Sequence, residues 1–321
     1  MKHQSYTIRN RPLLIPHHLQ PGDLVGVVAA SGPPIPESTM MGLNFLQRKG
    51  LRVVTGKHLY ERHHYLAGSD AQRIYDLNAM LTNPEVRAVL FARGGYGAMR
   101  ILTSVDCEAV FKDPKILLGM SDVTVLQMSL HSRCGLATLS GPMVSVQIGQ
   151  GLDRVSEESL VRALTETLDG RDLFQTVAPD LRILRKGKAC GLLLGGCLSL
   201  VTALLGTPHF PDCSDSVLFL EDVHEPAYRI DRMATQLKLA GVLEHINGLI
   251  LGHFIGPDDM CLSADTERIF MELTSDNPVP VISGFPHGHK LPNLTIPHGV
   301  PVELDTAVPS LIVRTSGGMP G

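Results

Sequence analysis

Residues 115–126 read KILLGMSDVTVL. An apolar run over 116–118 ends at Gly119, Ser121 and Asp122 follow, and Val123 reopens an apolar pattern. The spacing predicts a short buried strand, a tight turn and the start of a helix. Two readings of Ser121 are open at this point. A serine ahead of a helix can cap it, accepting from N–H groups two or three residues on. A serine at the tip of a strand–turn–helix also has an exposed hydroxyl, with helix N–H groups beside it to hold an oxyanion. The G-x-S-x-G pattern of such an elbow is half met: Gly119 is present, but Val123 stands at the second glycine position.

The same strand–helix alternation extends towards the N-terminus. LVGVVAAS (24–31) predicts a strand closed by Gly32-Pro33-Pro34. MMGLNFLQRKG (40–50) has helical spacing at Met41, Leu43, Leu46 and Gln47, and LRVVTG (51–56) predicts a second strand. SDAQRIYDLNAMLTN (69–83) opens on a Ser/Asp cap and lines Ile74, Leu77 and Leu81 along one helix face. VRAVLFARGGYG (86–97) is a third strand running into a glycine turn. Alternating strands and helices predict a parallel, doubly wound sheet. Ligands of such sheets sit beyond the carboxyl ends of the strands, so the loops ASGPP, ARGGYG and GMSD are expected to converge.

Beyond residue 150 charges become dense, and a helix followed by a link is expected over 151–185. Further strands are expected at SVLFLEDV (216–223), NGLILGHF (247–254) and VPVISGF (279–285). A helix is expected over 229–243, and VPVELDTAVPSLIVR (300–314) reads as a closing hairpin. The expected plan is a loose arm over 1–20, a nucleophile-bearing α/β domain over 21–150, the link, and a second α/β domain over 186–321. The stretch 189–211 carries no Asp, Glu, Lys or Arg. Gly195-Gly196 divides it and Pro208 and Pro211 end it, so a strand, turn and buried helix are expected, not a membrane span.

The chain has 321 residues, 44% hydrophobic and 19% charged, with net charge −4 and no basic block, which argues against nucleic acid as a partner. Its six cysteines form no CxxC pair and are expected to be reduced thiols. The opening MKHQSYTIRNRP lacks the apolar core of a signal peptide, so a cytoplasmic location is expected.

A serine nucleophile needs a base, and the base needs an orienting carboxylate. Of fourteen histidines, His253, His287 and His289 lie on loops after strands. Glu221 and Asp222 form an acidic pair at a strand end, where burial is costly without a partner. The ARGGYG turn lacks the GxGxxG and Walker patterns of phosphate loops. Gly94 and Gly95 leave room for a substrate to approach the backbone, which suits an oxyanion donor. His287, His289, His298, Glu221 and Asp222 match no zinc-ligand spacing, so neither metal nor other cofactor is expected.

Together these stretches resemble the LD-carboxypeptidases, serine peptidases whose group includes the microcin C self-immunity proteins. The resemblance rests on GDLVGVVAASGP (22–33), YLAGSDAQRIYDLNAML (65–81), VRAVLFARGGYGAMRIL (86–102), LLGMSDVTVLQMSL (117–130), GLATLSGPM (135–143), LFLEDVHEPAYRIDRMATQL (218–237) and ISGFPHGHKLPNLTIPHG (282–299). It implies an N-terminal flavodoxin-like, or glutamine-amidotransferase-like, sheet, a smaller C-terminal α/β domain, and a site between them. It also implies a triad of Ser121, Glu221 and His289, with the amides of Asp122 and Gly95 as oxyanion donors.

The implied activity is that of a muramoyltetrapeptide carboxypeptidase, removing terminal D-Ala from a muropeptide, in a homodimer. The alternatives are hydrolysis of aminoacyl-nucleotides and non-catalytic binding of D-amino-acid peptides. Arg93, Gly94, Tyr96 and Arg232 are candidate substrate contacts. Three positions depart from the family's usual pattern: Cys197 where Asn is frequent, His287 where an apolar or aromatic residue is frequent, and Ser140 where His is frequent.

Overall fold

The computed structural model describes residues 7–8, 11–175 and 181–315. Parts of the expected arm and link lie outside them. A short antiparallel pair, β1 (Thr7–Ile8) and β2 (Arg11–Pro12), precedes the first sheet. The elements of that sheet then alternate: β3 (Leu24–Val28), α1 (Pro36–Arg48), β4 (Arg52–Thr55), α2 (Asp70–Thr82), β5 (Val86–Phe91), α3 (Cys107–Lys112), β6 (Ile116–Gly119), α4 (Thr124–Cys134) and β7 (Thr138–Ser140).

The five strands are parallel in the order β4-β3-β5-β6-β7. This is flavodoxin-like winding, and the chain reverses direction across the sheet between β3 and β5. The loops after those two strands and after β6 therefore open on one crevice. Local chemistry sets the helix starts. Ser69 caps α2 and forms a reciprocal box with Gln72. Pro36, with its fixed φ, sits in the first turn of α1 and starts that helix four residues ahead of the expected Met40.

After α5 (Arg154–Thr165) come β8 (Arg182–Arg185), β9 (Lys188–Cys197), α6 (Leu198–Ala203), β10 (Val217–Val223), α7 (Ala227–Leu239), α8 (Val242–His245), β11 (Gly248–Ile255), α9 (Ser263–Leu273), β12 (Val281–Ser283), β13 (Ile296–His298), β14 (Pro301–Asp305) and β15 (Ser310–Val313). The second sheet runs β15-β14-β9-β10-β11-β12-β8; β9 to β12 are parallel, and the outer strands are antiparallel. The charge-free stretch forms most of β9 and then α6; the glycine turn expected at Gly195-Gly196 is absent, because both glycines pair within β9 and α6 follows Cys197 directly. No helix among the described residues is long and apolar enough to cross a membrane.

Three further expectations need correction. The arm is not loose throughout: Leu14 bridges to Leu136, and Leu19 is buried with its N–H on the Leu164 carbonyl at 2.7 Å. Apolar side chains dock it. The helix expected over 229–243 ends at Leu239, because Gly241 takes a left-handed φ of 78° before α8. Strand β13 was not expected, yet it adds antiparallel to β7 at the edge of the first sheet.

One apolar cluster runs from Val89 and Leu117 through Leu126 on α4 to Leu194, Leu220 and Leu251 in the second sheet. Each fully buried side chain of this size contributes about 1.5–3 kcal/mol. The core is thus continuous across both sheets, and the strand ends that meet above it are held by packed side chains.

Candidate active site

Strand β6 ends at Gly119, and Ser121 follows with φ of 61°. A non-glycine residue in that region is strained, and such strain persists only where the surroundings enforce it. Residues Ser121–Val123 form one 3-10 turn, and α4 starts at Thr124. Neither helix start receives a side-chain cap. Ser121 therefore does not act as a capping residue: its backbone is left-handed, and its half-buried hydroxyl is free of the helix N–H groups.

The loop after β5 lies directly against this serine. A Cβ built on Gly94 would sit 2.7 Å from Ser121 Oγ and 3.4 Å from the Asp122 nitrogen. The Gly94 carbonyl in turn accepts from the Gly32 N–H at 3.1 Å. The three loops after β3, β5 and β6 thus converge as the winding requires. Neither the Gly95 nor the Asp122 N–H has an acceptor among the described residues. The Asp122 side chain is fully buried and accepts from the Ala98 N–H at 2.8 Å, so it braces the glycine loop and leaves its own amide free. Burial raises the Asp122 carboxyl above its ordinary value, against the Ser31 hydroxyl, the Ala98 amide and Arg73.

Sequence reasoning missed Arg73. It is a buried arginine on α2 that donates to the Ala30 carbonyl and, at 2.7 Å, to the Gly97 carbonyl, and it also pairs with Asp70. It ties the ends of the β3 and β5 loops together. It lies on the buried face of α2, one turn before Leu77, and its charge masked that place in the sequence.

The second sheet supplies a carboxylate and histidines. Pairing of β10 with β11 shifts register between Leu220 and Asp222. Such an irregularity re-aims the side chains beside it. Glu221, 1% exposed at its side chain, accepts from His289 Nδ1 at 2.7 Å. Burial presses the His289 imidazole down, but the charge and hydrogen bond of Glu221, with the charge of Asp222, outweigh it and the net shift is upward.

The other two loop histidines are placed differently. His253 is pushed down to about 3 by burial, then by Lys290, His287 and His289. His287 is buried and hydrogen-bonded away from Glu221, its Nδ1 on the Leu294 carbonyl at 2.8 Å and its Nε2 on Ser140 Oγ at 3.0 Å. Two of the three departures from the family pattern are therefore one contact. No hydrogen bond joins Ser121 to His289 among the described residues; bonds of this kind often tighten only with substrate bound.

Asp222 is structural. It accepts from the Ser199 N–H at 2.7 Å and the Val223 N–H at 2.8 Å, and burial followed by the Glu221 charge raises it to about 6. Cys197, the third departure, is a buried thiol bonded to Asp222 and Ser199, raised well above its ordinary value first by burial and then by both carboxylates. Of the candidate substrate contacts, Arg93 donates to the Pro33 carbonyl at 3.3 Å beside the glycine loop. Tyr96 is exposed and packs its ring 5.9 Å from that of Tyr65. Arg232 lies over the exposed Tyr228 ring on α7, at 5.5 Å, and no hydrogen bond or ion pair joins it to Ser121, Glu221 or His289 among the described residues. No group of three or more His, Cys, Asp and Glu among the described residues could hold a metal ion.

Family models match both parts of the chain: the LD-carboxypeptidase N-terminal domain over residues 25–141 and the C-terminal domain over 190–304. The chain belongs to the LD-carboxypeptidase family. A probable murein peptide carboxypeptidase of Bacillus subtilis is 39% identical to it over 304 residues, 93% of this chain and 94% of that one. A crystal structure of muramoyltetrapeptide carboxypeptidase from Oxalobacter formigenes matches with a TM-score of 0.77 at 27% identity, covering 92% and 100%. The microcin C7 self-immunity protein MccF of Escherichia coli is 28% identical over 94% of each chain. MccF in complex with glutamyl sulfamoyl guanosine matches with a TM-score of 0.84 at 25% identity, covering 96% and 100%. This LD-carboxypeptidase is accordingly a hydrolase, and its two-sheet α/β fold is the one its relatives share.

Proposed function

We propose that this enzyme is a serine LD-carboxypeptidase that releases terminal D-Ala from the L-centre of meso-diaminopimelate in a murein tetrapeptide, in peptidoglycan recycling. The observation that carries this is the His289–Glu221 hydrogen bond at 2.7 Å, with Glu221 buried, on the sheet facing a strained Ser121. His289 Nε2 takes the proton from Ser121 Oγ as the oxygen attacks the peptide carbonyl. Glu221 holds the proton on Nδ1 and stabilises the imidazolium that forms. The free amides of Gly95 and Asp122 receive the oxyanion. His289 then protonates the departing D-Ala nitrogen, and water, deprotonated by the same imidazole, releases the acyl group from Ser121.

The test is D-Ala release from murein tetrapeptide by wild type and Ser121→Ala. The variant is expected to lose at least about 10⁴-fold in kcat with an unchanged melting temperature. Wild-type turnover by the variant would overturn the assignment.

A second reading, cleavage of aminoacyl-nucleotides, draws on the MccF complex with glutamyl sulfamoyl guanosine. Nucleobases are held well by stacked aromatics, and this chain has no Trp and 5% aromatic residues. That favours the muropeptide. Comparing turnover of the tetrapeptide with that of an aminoacyl sulfamoyl nucleotide separates the two readings.

A further inference from the structure

The loop that carries His289 is closed before it reaches the site. The Leu294 N–H donates to the Pro286 carbonyl at 2.8 Å, and the Gly288 N–H donates to Asn293 Oδ1 at 3.3 Å. The His287 carbonyl accepts from the His253 N–H at 2.9 Å, which fastens the same loop to β11. His287 itself points inward, with its ring edge-on to Phe219 at 5.6 Å. A carbonyl can only accept, so the bond to Leu294 places the ring proton on Nδ1. Burial holds the ring below its ordinary value, so Nε2 carries a lone pair, and the Ser140 hydroxyl is the donor.

Ser140 ends β7, opposite Gly119 in the β6–β7 ladder, and the Gly141 N–H donates to the Gly119 carbonyl at 3.2 Å. Gly119 is two residues before Ser121. Two side-chain bonds therefore tie the His289 loop to this strand end: Asn293 Nδ2 donates to Met120 Sδ at 3.2 Å, and the Ser140–His287 bond joins residues 147 apart in sequence. Both partners of the Ser140–His287 bond are 1% exposed, so water does not compete for it.

We propose that the Ser140–His287 hydrogen bond is a strap that positions His289 relative to Ser121, making both residues positioning residues for acyl transfer. The proposal rests on the reading of Ser121, Glu221 and His289 as the triad. Without the strap, the His289 loop keeps its bonds to its own sheet, the Asn293–Met120 contact and the β13–β7 pairing, but loses the bond that fixes His287, two residues before His289, against the end of β7. A misplacement of about 1 Å at a reacting centre costs about 10²-fold in rate.

The experiment compares Ser140→Ala, Ser140→Thr and Ser121→Ala in D-Ala release, with melting temperatures measured alongside. Ser140→Ala is expected to lower kcat by about 10- to 100-fold with KM changed less than about twofold, and Ser140→Thr, which keeps a hydroxyl, to restore most of kcat. A lower melting temperature with unchanged kcat in Ser140→Ala would make the bond merely structural and overturn the proposal. So would a Thr variant as impaired as the Ala variant but no less stable than wild type. If Ser140→Ala fails to fold, Ser140→Cys, a weaker donor, takes its place, and wild-type kcat in it overturns the proposal equally. Activity retained by Ser121→Ala would instead remove the triad reading itself, so the two failures are distinguishable.

Discussion

At the scale of the residue, the site is decided by which histidine the buried carboxylate selects. Three histidines lie near the ends of β11 and β12, and Glu221 bonds one of them, His289. The upward shift of that imidazole has a consequence for rate. A base takes a proton only when neutral, so the acid limb of kcat/KM should lie above 6.5, the ordinary histidine value. Glu221→Gln removes the charge and keeps the shape. The limb should then move to lower pH and kcat fall by up to about 10⁴-fold, as expected when the orienting carboxylate is lost. A limb that stays in place in this variant would assign the titration to another group. The sign for stability is fixed by the same shift. A histidine raised on folding contributes stability that is full below its unfolded value of about 6.5 and is lost as pH rises through its higher folded value. Urea titrations of wild type and Glu221→Gln across that interval should converge on the alkaline side.

At the scale of the element, strand ends and the loops after them carry the candidate site, and the end of one strand joins the two sheets. Gly195 and Gly196 close β9, both with φ of 132°. A Cβ on Gly196 would lie 2.6 Å from Thr124 Cγ2 and Oγ1, at the start of α4. The same Thr124 Oγ1 accepts from the Cys197 N–H at 3.2 Å. Gly196→Ala should therefore cost about 1–3 kcal/mol in urea unfolding, through backbone strain and the displaced threonine, and should lower kcat because α4 follows Ser121 directly. Wild-type stability in the variant would show that this contact yields freely.

Much of this element-level plan was legible in the sequence. Short apolar runs that end near glycine marked β3, β5, β6 and β11, the turn after β6 made Ser121 a candidate, and the family resemblance singled out Glu221 and His289 among the acidic and histidine candidates. What escaped was non-local. Ile296–His298 holds a proline in three residues and reads as a loop until β7 offers it an edge. Ser140 and His287 looked like unrelated departures because nothing in a linear pattern pairs residues so far apart. The buried Arg73 was hidden because a basic residue on a helix ordinarily faces water. The flanking residues alone leave the backbone of Ser121 open, because capping and strained-turn serines share them.

At the scale of the whole molecule, the question is whether the two sheets behave as separable units. A chain of this length with two sheets would ordinarily be expected to unfold in steps. Several observations argue otherwise. The apolar cluster that holds Val89 and Leu117 also holds Leu194, Leu220 and Leu251, with Met120, Val123 and Leu126 between them. β13 comes from the C-terminal part of the chain and completes the edge of the first sheet beside β7. The Thr124–Cys197 and Ser140–His287 bonds span the same junction. Separating the sheets would expose that shared core, at about 25 cal/mol for each Å² of apolar surface returned to water. We therefore expect a single calorimetric transition with equal calorimetric and van't Hoff enthalpies, and a fragment comprising residues 186–321 that does not fold alone. Two resolved transitions, or a cooperatively melting fragment, would show that the junction is weaker than its packing implies. The joint bears on function because the proposed nucleophile follows a strand of one sheet and its proposed base follows a strand of the other. Only a joint that does not open below the global transition can keep Ser121 and His289 in register through each turnover.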